Sequence, residues 1–69
     1  MEVKDIKKGD IVTYRNGRIN NVNYPKKYKK WFDRNFENKG DRGLDIIQIQ
    51  RYVKFLFFYR LKTIYKRGE

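Results

Sequence analysis

The stretch Lys8-Gly9-Asp10-Ile11-Val12-Thr13-Tyr14-Arg15-Asn16-Gly17-Arg18-Ile19-Asn20-Asn21-Val22 decides the fold class of this 69-residue chain. Lys8-Gly9-Asp10 reads as a turn. Ile11–Tyr14 reads as a strand, and Arg18–Val22 as its return. Asn16-Gly17 between them is a strong hairpin signal, because a two-residue type I′ turn needs positive φ at both central positions. Tyr24-Pro25 then breaks the pattern, since the residue before proline is pushed out of the helical region.

Working outward, the C-terminal third is apolar with alternation. Asp45 to Tyr52 reads as a strand. From Val53 on, the odd positions Val53, Phe55, Phe57, Tyr59, Leu61, Thr63 and Tyr65 form one largely apolar series, while Lys54, Arg60, Lys62 and Lys66 occupy even positions. That is period two, the signature of a half-buried strand. A helix through 46–66 is the competing reading, because Ile46, Ile49, Val53 and Leu56 also suit helical spacing. Density of β-branched and aromatic residues favours strands. The chain has no Ala, one Met, seven Ile, six Tyr and five Phe, a composition poor in strong helix formers. The middle segment, 24–43, is the least regular and most basic, with seven positive and three negative charges for a net of +4. Within it Trp31–Asp33 reads as a short strand, Asp33–Asn38 as one helical turn, and Asn38–Gly43 as an open turn. The expected architecture is all-β in the main. It is a small five-stranded SH3-like barrel or a twisted antiparallel sheet, in a single domain spanning 1–69.

Eighteen Lys and Arg against eight Asp and Glu give a net charge of +10. Such an excess attracts polyanions and repels further copies of the chain. Twelve aromatic residues set it apart from a basic disordered tail. With no Cys there is neither a disulfide nor a thiolate metal site, and the core must come from Ile, Val, Phe, Tyr, Leu and Trp31. No apolar stretch of signal-peptide length opens the chain, and Phe55–Tyr59 is far shorter than a bilayer span, so a cytoplasmic protein with no membrane partner is expected.

The residue inventory disfavours catalysis. Ser, Cys and His are all absent, which removes the common nucleophiles and the side chain that titrates near neutral pH. Asp33, Glu37 and Asp41 recur every four residues, but Arg34, Lys39 and Arg42 lie among them, so surface ion pairs are the favoured reading over a Mg²⁺ site. No cofactor and no metal is expected.

Binding residues are easier to nominate. Lys26, Lys27, Lys29 and Lys30 form a basic cluster interleaved with Tyr24, Tyr28 and Trp31. Lysines neutralise phosphates, and aromatic rings stack on bases. The simpler reading is a solvated loop whose rings tuck into the core, and for Trp31 the core reading is favoured. Arg15 and Arg18 flank the hairpin turn, where two guanidiniums can fork onto phosphate or simply guard a sheet edge. Arg34 and Arg42 extend the basic middle segment. Arg51, Lys54, Arg60, Lys62, Lys66 and Arg67 lie on the last strands. If Arg60 and Lys62 share a face with Lys54 and Lys66, they make a cationic stripe. Leu56, Phe58 and Ile64 on the same side raise the prospect of a protein contact or homodimer.

Three segments carry a resemblance. They are Gly9-Asp10-Ile11-Val12-Thr13 with Arg15-Asn16-Gly17, then Asp45-Ile46 with Ile49 and Arg51, then Lys62-Thr63-Ile64-Tyr65 with Arg67. Together they resemble small phage and prophage proteins of Gram-positive bacteria that open with a GDIV-x-x-RNG hairpin and close near K-T-I-Y/W-x-R. Asn35-Phe36-Glu37-Asn38 stands where that group has an N-x-x-L/F-x-N-type stretch. Lys26–Lys30 and Phe55–Tyr59 depart from the pattern. The resemblance implies an SH3-like barrel, and Lys8–Val12 is also similar to KOW segments. A phage origin implies a counter-defence role by analogy, such as an anti-CRISPR inhibitor that engages a host nucleoprotein effector.

The leading expectation is therefore a non-catalytic basic module that binds nucleic acid or a nucleoprotein complex. The alternatives are a module that sequesters a nucleotide signal and a protein–protein inhibitor that binds an acidic surface.

Overall fold

The computed structural model describes residues 1–68. The architecture is mainly β: strands β1 (Ile11–Tyr14), β2 (Ile19–Asn21), β3 (Ile46–Phe55) and β4 (Phe58–Lys66), with one helix, α1 (Pro25–Trp31). Val3–Asp5 and Arg42–Leu44 are single 3-10 turns. The strands form one antiparallel sheet in the order β2-β1-β3-β4, with β2 and β4 as its two edges. Of the two architectures the sequence allowed, this is the open sheet, with four strands rather than five. The expected strand over Trp31–Asp33 is reduced to a single bridge between Phe32 and Asn38.

The first hairpin forms where expected but with a different turn. Gly17 lies at φ 89°, while Asn16 is not among the residues at positive φ. The Gly17 N–H donates to Tyr14 O at 2.9 Å, and the Tyr14 N–H donates to Arg18 O at 2.8 Å. This is a three-residue loop, a tight turn followed by a glycine in the left-handed region. Asn16 serves it through its side chain, whose Oδ1 accepts the Arg18 N–H at 2.9 Å.

Helix α1 lies upstream of the helical turn expected at 33–38, and residues 34–36 form a non-helical bend instead. The reason is Pro25 at the first helical position. Its fixed φ starts a helix, and its missing N–H is one the first turn leaves unpaired anyway. Lysines continue the helix well. Tyr28 and Phe32, four residues apart, then anchor one face, stacking with ring centroids 5.5 Å apart.

The core consists of Val3, Ile6, Val12, Val22, Tyr28, Phe32, Phe36, Ile46 and Ile49, flanked by Tyr14, Ile64 and Tyr65. Val12 sits opposite Ile49 across the β1–β3 pair. Trp31, expected in the core, is 49% exposed at the end of α1.

Two buried carboxylates tie the periphery together. Asp10 accepts Arg51 Nε and Nη2, each at 2.8 Å, and the Lys7 N–H at 2.9 Å. Asp45 accepts the Asn38 N–H at 2.8 Å and Arg42 Nε at 3.0 Å, with Arg15 and Arg67 guanidinium nitrogens at 3.6 and 3.8 Å. Burial alone would raise the Asp45 pKa. The Asn38 N–H and the Arg42 and Arg15 charges outweigh it and hold the carboxyl below its ordinary range.

Beyond this base the sheet continues as a bare hairpin. β1 pairs with β3 only as far as Gln50, and past that point β3 has β4 alone as a neighbour. The ten residues of β3 span about 33 Å, most of the 41 Å long axis of the molecule.

Candidate functional site

Two surfaces gather the exposed cations and rings. The first is the face built by α1 and β2. Lys26, Lys27, Lys29 and Lys30 are all exposed, and none has a carboxylate partner among the described residues. Lys26 and Lys30 are four residues apart on the helix, where like charges repel. The helix is held by Tyr28 and Phe32 beneath and carries this repulsion uncompensated above.

Tyr24, Lys27, Tyr28 and Trp31 recur at helical spacing and line a small groove of about 120 Å³ against Asn20, Asn21 and Asn23. Tyr24 and Trp31 are exposed walls, and Lys27 Nζ lies over the Tyr24 ring, 4.7 Å from its centroid. Tyr28 is different. At 2% exposure it is the floor of the groove, so its ring is not open to a base as the sequence reading had it. Its hydroxyl accepts from Asn20 Nδ2 at 2.9 Å and lies 3.4 Å from the Tyr14 hydroxyl. Burial, reinforced by the Tyr14 hydroxyl, drives its pKa up. The three asparagines were missed as groove residues. For Asn20 and Asn21 a signal was present, since Asn on a strand runs against strand preference.

The second surface is the hairpin arm formed by the distal halves of β3 and β4. Its cross-strand pairs are Arg51–Lys62, Tyr52–Leu61, Val53–Arg60, Lys54–Tyr59 and Phe55–Phe58. Opposite residues of an antiparallel pair share a face. Arg60 and Lys62 therefore lie with Val53, Phe55 and Phe58, while Lys54 is on the other face with Tyr52, Tyr59 and Leu61. This corrects the single apolar face expected over Val53–Tyr65, and it separates Lys54 from Arg60 and Lys62. Two devices break that alternation: the two-residue turn at Leu56-Phe57, and a bulge where Ile49–Tyr65 gives way to Gln50–Thr63. An open cleft of about 460 Å³ runs along the arm between Val53–Phe55 and Arg60–Thr63. The rings of Phe55 and Phe58 meet edge to face, with centroids 5.8 Å apart. Phe57 at the tip is 99% exposed.

Several nominated cations serve the fold. Arg15 turns to Asp45, and the Arg15 and Asn16 N–H groups donate to Asp45 O and Gly43 O at 2.8 and 2.9 Å, so the first hairpin tip is docked rather than projecting. Arg42 pairs with Asp45 and Glu37. Arg51 is bound to Asp10, and Arg67 to Asn35 O, Glu37 and Asp45. Arg18, Arg34, Arg60 and Lys62 are exposed. Asp33 and Asp41 cap turns by accepting backbone N–H groups. No three carboxylates among the described residues converge on a metal-sized site. No helix among them is long and apolar enough to cross a membrane.

No family model, curated protein or solved structure matches this chain.

Proposed function

We propose that this protein is a non-catalytic module that binds nucleic acid, free or within a nucleoprotein complex, through the face formed by α1 and β2. One observation carries the reading. Four lysines stand on a seven-residue helix with no counter-charge among the described residues, beside a groove walled by two exposed aromatic rings. A helix that bears this repulsion gains when an anionic strand neutralises it. Tyr24 and Trp31 offer stacking surfaces, and Asn20, Asn21 and Asn23 offer amides that can donate to and accept from base edges. The phage resemblance adds a setting. A basic module inside an infected cell meets guide RNA, target DNA and the effectors that carry them, and obstructing one of these is the counter-defence role the reading points to.

The test is affinity for a labelled single strand across a salt series. Replacing Lys26, Lys27, Lys29 and Lys30 with Ala should flatten the log–log salt slope by about 3, the single-strand value for four lost phosphate contacts. Melting should be almost unchanged, because exposed charges contribute little to stability. Equal binding by the quadruple variant would remove α1 from the interface.

The groove also favours a second reading. Its 120 Å³ is the scale of one base rather than of a strand, which suits sequestration of a single nucleotide. Tight calorimetric binding of a mononucleotide or cyclic nucleotide, with weak and salt-insensitive binding of oligonucleotides, would select it.

A further inference from the structure

The arm is not used by the α1 face. From Ile46 to Gly68 the chain contains no Asp or Glu. Arg51 and Arg67 are consumed by the base, whereas Lys54, Arg60 and Lys62 have no carboxylate partner among the described residues. The tip is wholly apolar: Phe55, Leu56, Phe57 and Phe58 are all more than half exposed. Leu56 holds the turn at φ 57°, a region that costs a residue with a Cβ about 1–2 kcal/mol and is the usual place of glycine. A hairpin that tolerates such a turn in order to present Leu and Phe is organised around its tip.

A second copy is a poor occupant of this surface. Self-pairing along the open edge of β4 would bring Arg60, Lys62 and Lys66 of both chains together, and like charges across a strand pair are destabilising. An anionic partner is favoured instead. Spacing along the arm then narrows the choice. Arg60 lies two residues behind Phe58, about 7 Å along the strand. The grooves of duplex DNA are about 7.5–8.5 Å deep. A tip that reaches the base-pair stack therefore leaves Arg60 near the level of the phosphates, with Lys62 above it. Both edges of the ribbon beyond Gln50 are unpaired, so their N–H groups also face the phosphate walls.

We propose that the β3–β4 arm enters a groove of duplex DNA and inserts Phe57 between base pairs, kinking the duplex. Apolar wedges of Phe and Leu act in this way in architectural DNA-binding proteins. The proposal rests on the nucleic-acid reading above but uses a different surface, so the two can fail separately.

The experiment uses a duplex of about 20 base pairs with a central, easily kinked TA step and a dye at each end. Affinity is read by anisotropy and bending by energy transfer. The native protein should bind the duplex and raise energy transfer. Phe57→Asp lies on a solvent-exposed turn, so its circular dichroism and melting should match the native protein. It should lose about tenfold or more in affinity, the scale of a lost stack, together with the bend. Phe57→Trp should restore both, with its indole emission quenched by duplex. If Phe57→Asp binds and bends the duplex as the native protein does, the arm is not a wedge. Binding confined to single strands and abolished by the Lys26, Lys27, Lys29 and Lys30 variant overturns this proposal and leaves the α1 reading standing. Tip-dependent dimerisation, or tip-dependent sedimentation with phosphatidylglycerol vesicles without duplex binding, overturns it in favour of that partner.

Discussion

Strand β3 is two strands in one. Its first half places Ile46 and Ile49 at 0% exposure, while its second half ends at Phe55, 57% exposed. The residue types barely differ, since both halves are apolar with interspersed polar groups. What differs is the number of neighbours. The first half is flanked by β1 and β4 and roofed by Phe36 and Tyr65, whose rings lie 4.3 Å apart. The second half has β4 alone. Charge follows the same division. In the base, guanidiniums close on buried Asp10 and Asp45. In the arm, cations face solvent. Hydrophobicity in this chain therefore has two uses, and only tertiary context distinguishes them.

The sharpest way to break this comparison is a pair of truncations. Ile49→Ala should cost about 2–5 kcal/mol, through lost burial and the cavity left behind. Phe57→Ala should leave the urea midpoint almost unmoved. If Phe57→Ala destabilises as much as Ile49→Ala, the arm packs against something in solution. Asp10→Ala should cost about 3 kcal/mol, because it strands the partly buried Arg51 guanidinium, and melting will report it. Acid should act on the base in the same sense. Asp45 has its folded pKa below its unfolded value, so its contribution is fully present above about pH 4 and is lost as pH falls through the lowered folded value. Native protein should lose stability below pH 4 more steeply than Asp45→Asn does, and parallel curves would refute the assignment. Gly17→Val should cost about 1–2 kcal/mol from its φ of 89° alone, since a Cβ there meets no atom within 4 Å. The smallest effect has the opposite sign. Leu56→Gly should relieve the left-handed turn and stabilise by up to about 1 kcal/mol, and a clear loss of stability would mean that Leu56 makes packing contacts of its own.

Much of the base was legible in the sequence. The Ile11–Tyr14 and Arg18–Val22 strands announce themselves through β-branched residues around Asn16-Gly17, and the two last strands through their period. Helix α1 was hidden because Pro25 reads equally as a breaker or as a first helical residue. Packing of Tyr28 and Phe32 against Tyr14 decides between them, and that contact crosses the fold. The role of Arg51 was hidden for the same reason. Its partner Asp10 is 41 residues away, and nothing in either local sequence marks the pair. Of the nominated binding residues, the lysines of α1 are as exposed as their clustering suggested. Arg15 is nominated for its place beside the hairpin turn and Arg42 for its place in the basic middle segment, and neither position marks Asp45 as the carboxylate that both serve. The solvated tip needed the register. Alternation alone assigns faces correctly until a bulge or a turn shifts the count.

That bulge has a consequence for how the protein can change. Below it, Tyr65 belongs to the core face; above it, even-numbered residues of β4 take over that side. The extra residue acts as a phase joint between a region under packing constraint and one without it. Losing the extra residue would leave Arg60 opposite Val53 and the arm's faces where they are. Adding or removing two residues in each strand of the arm would lengthen or shorten the ribbon with both its faces and the register of the base kept. Adding or removing one in each strand at the foot of the arm would instead exchange the arm's two faces without touching the core. Arg60 and Lys62 would then move to the side now held by Leu61 and Tyr59.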